Sequence, residues 1–372
     1  MKRIVDEMSS RERLTAYGRG EVVDRIPCVL AGGESLPSLY GFTVHDYMFS
    51  VDAMVAVEGN LGLEFGADSM GMGLGMWSIV EALGTRMRYP ENDIPIVVEP
   101  AFESTDWGKD GWCLRPIDID RDGRFPLLME AFRRLQDLYG DRWEISTGVA
   151  SPLTVASGLI ETETLLRGMM RDKERVHHLL RSITDCMVDC IAQLYGRLGI
   201  SFGLSDPLSS GTLIGLKVFR EFGKPYIAEL VKALTELTGK APGLHICGKT
   251  RDRWEDLLET GISELSVDNQ ESMEALKNAC GERVAISGNV PPVEVMRDGS
   301  PEDVMSAVRE CIRQSGDSPM GFMLSPGCTL PVETPRENIT AFMNAASVYG
   351  RGARKGRLCP GLPESSQVKS FR

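Results

Sequence analysis

The sequence predicts a (β/α)8 barrel, a single α/β domain with an N-terminal helical extension and inserted loops. From residue 243 onward short apolar runs alternate evenly with amphipathic stretches: strand 243–247 and helix 251–259, strand 264–267 and helix 271–279, strand 283–288 and helix 301–314, strand 320–324 and helix 335–349. Such alternation means a parallel sheet with right-handed crossovers. Less regular units run back to the start, and about eight are counted, the number that closes a barrel. Chemically interesting residues also fall just after strands, which in a barrel is a single rim.

The elements follow in order. SSRERLTAYGRG reads as a short helix that Ser9 or Ser10 can cap and Gly18 and Gly20 end, before a first strand at about 26–30. Residues 43–61 are helical and rich in Met. GADSMGMGLGMW, at 66–77, has almost no charge; its glycines do not follow the G-x-G-x-x-G spacing of a dinucleotide loop. It reads as a strand and loop facing something flat or apolar. Residues 86–122, rich in Pro, Asp and Trp, form an excursion of short strands and loops. A helix at 125–139, a strand at 143–149 and the loop SPLTVASG follow. Then come two helices over 162–198 broken near Asp172, a strand at 200–204, the loop SDPLSSG and a helix over 219–237. The barrel is expected to span 1–349. From Gly350 the composition turns to Gly, Pro, Ser and base without apolar periodicity, so 350–372 is expected to be a basic, loosely held tail.

Bulk properties narrow the function classes. A chain of 372 residues, 42% hydrophobic and 25% charged, is ordinary for a soluble globular protein. A formal charge of −12 argues against a nucleic-acid-binding body, because phosphate contacts need clustered cations. No apolar run approaches a membrane span and the N-terminus has no apolar leader, which leads to a cytoplasmic expectation. Nine scattered cysteines fit reduced thiols better than a disulfide framework. Cys186 and Cys190, one helical turn apart, read as buried filler without a third partner. His177 and His178 sit mid-helix among charges and receive no catalytic role.

Three residues carry the chemistry. His245 and Cys247 lie two apart in PGLHICGK; on a strand they share a face with α-carbons roughly 6.6 Å apart, a workable bite for one metal ion. Cys328, in LSPGCTLP, follows another apolar run that ends in a Pro-Gly turn. Imidazole with two thiolates suits zinc, and three protein ligands leave a position open for chemistry. Singly, each is as well explained as a core residue; three on one barrel face favour the metal. By strand counting Glu34, Asp206 and Asn289 reach the same rim, where each is either a site residue or a turn and packing residue. Asp206 and Asn289 are the catalytic candidates, and Glu34 could add a fourth zinc oxygen.

Several segments together resemble the uroporphyrinogen decarboxylase superfamily: RERLTAYGRGEVVDRIP at the start, FGAD at 65–68, EALG at 81–84, SPLT at 151–154, LSVD at 265–268, ISGNVPP at 286–292 and PGCTLPVETPRENITAF at 326–342. The resemblance covers nearly the whole chain and implies a (β/α)8 barrel. The superfamily includes tetrapyrrole decarboxylases and zinc-dependent corrinoid methyltransferases. The decarboxylases carry an Arg-Gln-Ala-Gly-Arg segment after the first strand, where this chain has AGGESLPSLYG, and no Lys or Arg occurs between Arg25 and Arg86. A polyanion finds no clamp there. The decarboxylase aspartate falls near Gly75, its tyrosine near Gly158, and its Gly-His-Gly turn becomes Gly327-Cys328-Thr329.

What remains is similar to the methyltransferase branch, whose mark is His-x-Cys followed by a distant Cys in a Pro-Gly-Cys turn. That resemblance implies zinc on His245, Cys247 and Cys328. It also implies a corrinoid on a separate protein, because no Asp-x-His-x-x-Gly segment occurs here, and a small methyl donor or thiol acceptor. The charge-poor segment, with Gly71, Gly73 and Met76, is expected to meet the corrinoid. Two other readings stand beside it: a tetrapyrrole decarboxylase with altered recognition residues, and a non-catalytic barrel that binds zinc or a corrinoid protein.

Overall fold

The computed structural model describes residues 2–74, 77–102, 107–109 and 112–362. A small antiparallel hairpin, β1 (Arg86–Arg88) and β2 (Ile96–Glu99), stands in the excursion after the first helices. The main sheet has six parallel strands in sequence order: β3 (Ser146–Ala150), β4 (Ser201–Ser205), β5 (Gly243–Ile246), β6 (Glu264–Val267), β7 (Ala285–Val290) and β8 (Phe322–Pro326). Helices at 152–159, 162–171 and 173–198 follow β3, and those at 224–238, 254–258, 273–280, 301–315 and 336–349 follow the later strands.

The first two barrel positions are held by single bridges rather than full ladders. Cys28 bridges Leu324 of β8, flanked by Leu324 N–H to Pro27 O and Val29 N–H to Leu324 O, each 2.9 Å. Met70 bridges Ile145, just before β3, and Asp68 N–H donates to Cys28 O at 2.8 Å. The ring therefore closes, as the strand count predicts. The expected strand at 26–30 shrinks to this bridge because the chain turns off at once through Gly32 and Gly33. At the second position Gly71 has φ 153°, and a Cβ there would fall 1.8 Å from Ser146 O, so only glycine permits the approach to β3.

The N-terminal helix, Ser10–Gly18, is capped by Ser9 in a capping box with Glu12. It is tied to the barrel by buried charge. Asp68 takes Arg13 Nη1 at 2.6 Å, Arg25 Nη1 at 2.7 Å and Cys28 N–H at 2.9 Å. Asp24 and Asp6 meet the remaining faces of the two guanidiniums. The expected break in the long helical stretch is present at Asp172, between helices Thr162–Arg171 and Lys173–Leu198. The expected helix over 43–61 is instead two, Val44–Phe49 and Val51–Phe65, parted at Ser50, which caps the second.

The tail differs from expectation. Residues 350–362 are docked: Ile26 N–H donates to Gly350 O, Val23 N–H to Ala353 O, and Ala353 and Cys359 are buried. Apolar contacts at these two positions do what the missing periodicity concealed. Residues 363–372 lie outside the described part.

Alternation along the strands decides where the site can be. Outward residues such as Leu204, Leu244, Ile246, Leu265, Val267, Ile286 and Leu324 are buried against the helices. Inward positions are small or polar: Gly148, Gly203, Ser205, His245, Ser266, Ser287 and Ser325 all line a central cavity of about 510 Å³. Barrels of this class usually fill that space with branched aliphatic layers. Here the bore is hollow and opens to the rim.

Candidate metal centre and cavity

β5 delivers His245 inward, and the chain just past its end delivers Cys247 to the same side. The Pro326-Gly327-Cys328 turn brings Cys328 across, held by Gly327 N–H to Val290 O at 2.8 Å. His245 Nε2 lies 3.3 Å from Cys247 Sγ, and Cys247 Sγ lies 3.5 Å from Cys328 Sγ. All three donor atoms fall within 4.8 Å of one another, and among the described residues no other group of His, Cys, Asp or Glu converges in this way. A tetrahedral zinc with bonds of about 2.0–2.3 Å sets its ligand atoms about 3.3–3.8 Å apart. The donor set and spacings fit that ion.

Hydrogen bonds aim these ligands. Ser266, opposite His245 in the β5–β6 register, places its Oγ 2.9 Å from His245 Nδ1, leaving Nε2 for the cluster. Asp268 Oδ2 accepts Gly248 N–H at 2.9 Å and so fixes the turn after Cys247. The Cys247 thiol beside Cys328 holds Cys328 well below the usual thiol range, against the opposing effect of burial, with His245 adding to the lowering. The same contact, together with burial, pushes Cys247 upward. The pocket thus already favours a thiolate.

The other sequence candidates separate. Glu34 lines the cavity with His245 and Cys328 but stands outside the converging donor group, and burial raises its carboxyl against an opposing pull from Arg124. Gly71 and Gly73 line the cavity; Met76 lies outside the described residues. Asp206 and Asn289 do not line it. Asp206 is fully buried, with Oδ1 accepting from Thr154 Oγ1 at 2.7 Å and its N–H donating to His245 O at 2.9 Å. Asn289 Nδ2 donates to the carbonyls of Asp268 and Glu271, at 3.0 and 2.8 Å, bracing the loop that carries Asp268. Both hold strand ends in place, which is why they fall at the rim without facing it. Cys186 and Cys190 are buried, as expected of filler.

Three cavity residues escaped the sequence reading. Glu58 and Tyr47 meet through Tyr47 Oη to Glu58 Oε1 at 2.5 Å, and Glu264 accepts from Ser287 Oγ at 2.6 Å lower in the bore. Burial and the charge of Glu34 push Glu58 up to about 8. A signal existed: Glu58 is the one acid on a helical stripe otherwise made by Met54, Leu61 and Phe65, and Glu264 shares inward parity with Ser266.

Comparison with known proteins decides the family. The uroporphyrinogen decarboxylase (URO-D) family profile matches residues 9–349. The chain belongs to the uroporphyrinogen decarboxylase family. A methylated-thiol–coenzyme M methyltransferase of Methanosarcina mazei is 28% identical over 274 residues, covering 71% of this chain and 68% of the relative. A methylcobamide:CoM methyltransferase of Methanosarcina acetivorans is 28% identical over 228 residues, covering 61% and 65%. A uroporphyrinogen decarboxylase of Vibrio campbellii is 25% identical over 280 residues, covering 72% and 75%. A solved methyltransferase from Methanosarcina mazei superposes with a TM-score of 0.79 at 24% identity, covering 91% of this chain and 98% of that one, which supports the barrel. Among the described residues, no helix is long and apolar enough to cross a membrane.

Proposed function

We propose that the protein is a zinc-dependent methyltransferase that moves a methyl group between a corrinoid, carried by a partner protein, and a small substrate in the barrel bore. The carrying observation is the convergence of His245 Nε2, Cys247 Sγ and Cys328 Sγ at a hollow bore of about 510 Å³. Zinc held by these three residues would act as a Lewis acid, favouring the thiolate form of a thiol or polarising the heteroatom of a methylated donor. Ser266 fixes the imidazole, Asp268 fixes the Cys247 turn, and Asn289 braces the Asp268 loop. Glu34 lines the same cavity outside the converging donors, so the fourth zinc position is left to substrate. The glycine wall at Gly71 and Gly73, short of side chains and charge, suits approach of a flat corrin face. Transfer of CH3⁺ from Co(III) to a thiolate leaves Co(I) and a thioether, with the thiol proton released. The cysteines, none in a disulfide, support a reducing, cytoplasmic setting.

The family's decarboxylation chemistry is the second reading. The substrate's many carboxylates need cations, and among the described residues the cavity lining contains no Lys or Arg. A purely binding role is disfavoured by the space beside the cluster. The test is demethylation of methylcobalamin with a thiol panel by the zinc-loaded protein, followed in the corrin spectrum. Turnover that is lost in folded Cys328→Ala supports the proposal. Conversion of uroporphyrinogen to coproporphyrinogen with no corrin change would replace it.

A further inference from the structure

The bore is lined by acids that have no Lys or Arg partner among the described lining residues. Those acids are Glu34, Glu58 and Glu264. Glu58 reaches the cavity through a gap made for it: a Cβ on Gly33 would fall 1.8 Å from Glu58 Oε1, and Tyr47 Oη lies 2.5 Å from the same oxygen. Glu264 sits lower down, at the first residue of β6, with Ser287 as its hydroxyl donor. Arg124, the guanidinium whose charge reaches Glu34, is not in the lining. It spends its N–H groups on Glu81 Oε2 at 3.1 Å, Met48 O at 3.3 Å and Ser78 Oγ at 3.5 Å.

Buried carboxyl groups without a cation are costly to maintain, and their function is served when a ligand supplies the missing charge. We propose that the small substrate carries a positive charge on its non-reacting end, an ammonium seated against Glu58 and Tyr47, and that anionic thiols are disfavoured. This rests on the methyl-transfer reading and names its substrate class. A sulfonate-bearing thiol such as coenzyme M would set its sulfonate among carboxyls with no cation to receive it. An ammonium finds carboxylate oxygens and the Tyr47 ring in one wall. With the reacting sulfur held near His245, Cys247 and Cys328, the far end of the substrate extends into the acidic part of the same cavity.

The test uses a matched series HS–CH2–CH2–X, in which X is ammonium (2-aminoethanethiol), hydroxyl (2-mercaptoethanol) or sulfonate (2-mercaptoethanesulfonate). Demethylation of methylcobalamin by the zinc-loaded protein is measured with each. In parallel, thermal protection is measured with ethylammonium and with ethanesulfonate, which lack the reacting thiol. The expected kcat/KM order is ammonium, hydroxyl, sulfonate, with about tenfold or more between the ends. Ethylammonium should protect where ethanesulfonate does not. In Glu58→Gln, with its zinc content checked as unchanged, the preference should fall below about threefold. Glu58-dependent protection by ethylammonium without turnover of any thiol would sink the methyl-transfer reading and leave the charge assignment standing. Turnover with sulfonate equal or preferred would overturn the charge assignment and leave methyl transfer standing. Absence of any charge preference in both measurements also overturns it.

Discussion

Ser266 Oγ lies 2.9 Å from His245 Nδ1, so one ring nitrogen is occupied by a neighbouring strand while the other faces Cys247. A ligand histidine depends on such a partner for its tautomer and orientation. Ser266→Ala should leave the fold intact and weaken zinc binding by about tenfold. Competition with a chromophoric chelator, with circular dichroism as the control for folding, measures both. Unchanged affinity would remove Ser266 from the account.

The Arg13–Asp68–Arg25 cluster makes a prediction about stability rather than chemistry. Asp68 is the common partner of two guanidiniums, all three side chains being buried. Asp68→Ala leaves two buried cations short of a counter-charge and should cost about 3–5 kcal/mol. Asp68→Asn retains one acceptor and should cost less. Urea unfolding of the three proteins orders them.

Much of this was legible in the sequence. The C-terminal strand–helix units stand out because each outward strand residue is apolar and each helix has a buried stripe. His245, Cys247 and Cys328 stand out because their side chains are chemically distinctive and lie on or just after a strand. The first two barrel positions are less legible, since single bridges flanked by glycine leave no alternating pattern. Asp206 and Asn289 show why a rim position does not fix direction: Asp206, one step past the inward Ser205, turns to the Thr154 hydroxyl, and Asn289, at the same parity as the inward Ser287 near the end of β7, turns to the carbonyls of Asp268 and Glu271. Glu58 could have been seen only by asking why an acid lies on an apolar stripe.

Glu58 gives a pH dependence with a definite sign. Its folded pKa, about 8, lies above the ordinary carboxyl value of 4.5, so the folded state holds a proton that the unfolded state has lost between those limits. Stability is greatest below pH 4.5 as far as this group is concerned, and falls as pH rises toward 8. The raised carboxyls of Glu34 and Glu264 act in the same direction. In Glu58→Gln the fall should be shallower, so the variant gains on the parent between pH 5 and pH 8, by about a few kcal/mol at most. Parallel denaturation curves at the two pH values would contradict the assignment.

Asn289 is assigned a bracing role through Asp268, and that role is separable from catalysis. Asn289→Ala frees two backbone carbonyls and should loosen the Asp268 turn, costing about 1–3 kcal/mol of stability. If it touched substrate instead, KM would rise with stability unchanged.

The central claim is that His245, Cys247 and Cys328 together hold zinc. X-ray absorption at the zinc edge, on the metal-loaded protein and on Cys328→Ser, tests it most directly. The account predicts two sulfur neighbours at about 2.3 Å and nitrogen or oxygen neighbours at about 2.0–2.2 Å in the parent, with one sulfur lost in the variant. A shell without sulfur, or one unchanged by Cys328→Ser, would contradict it.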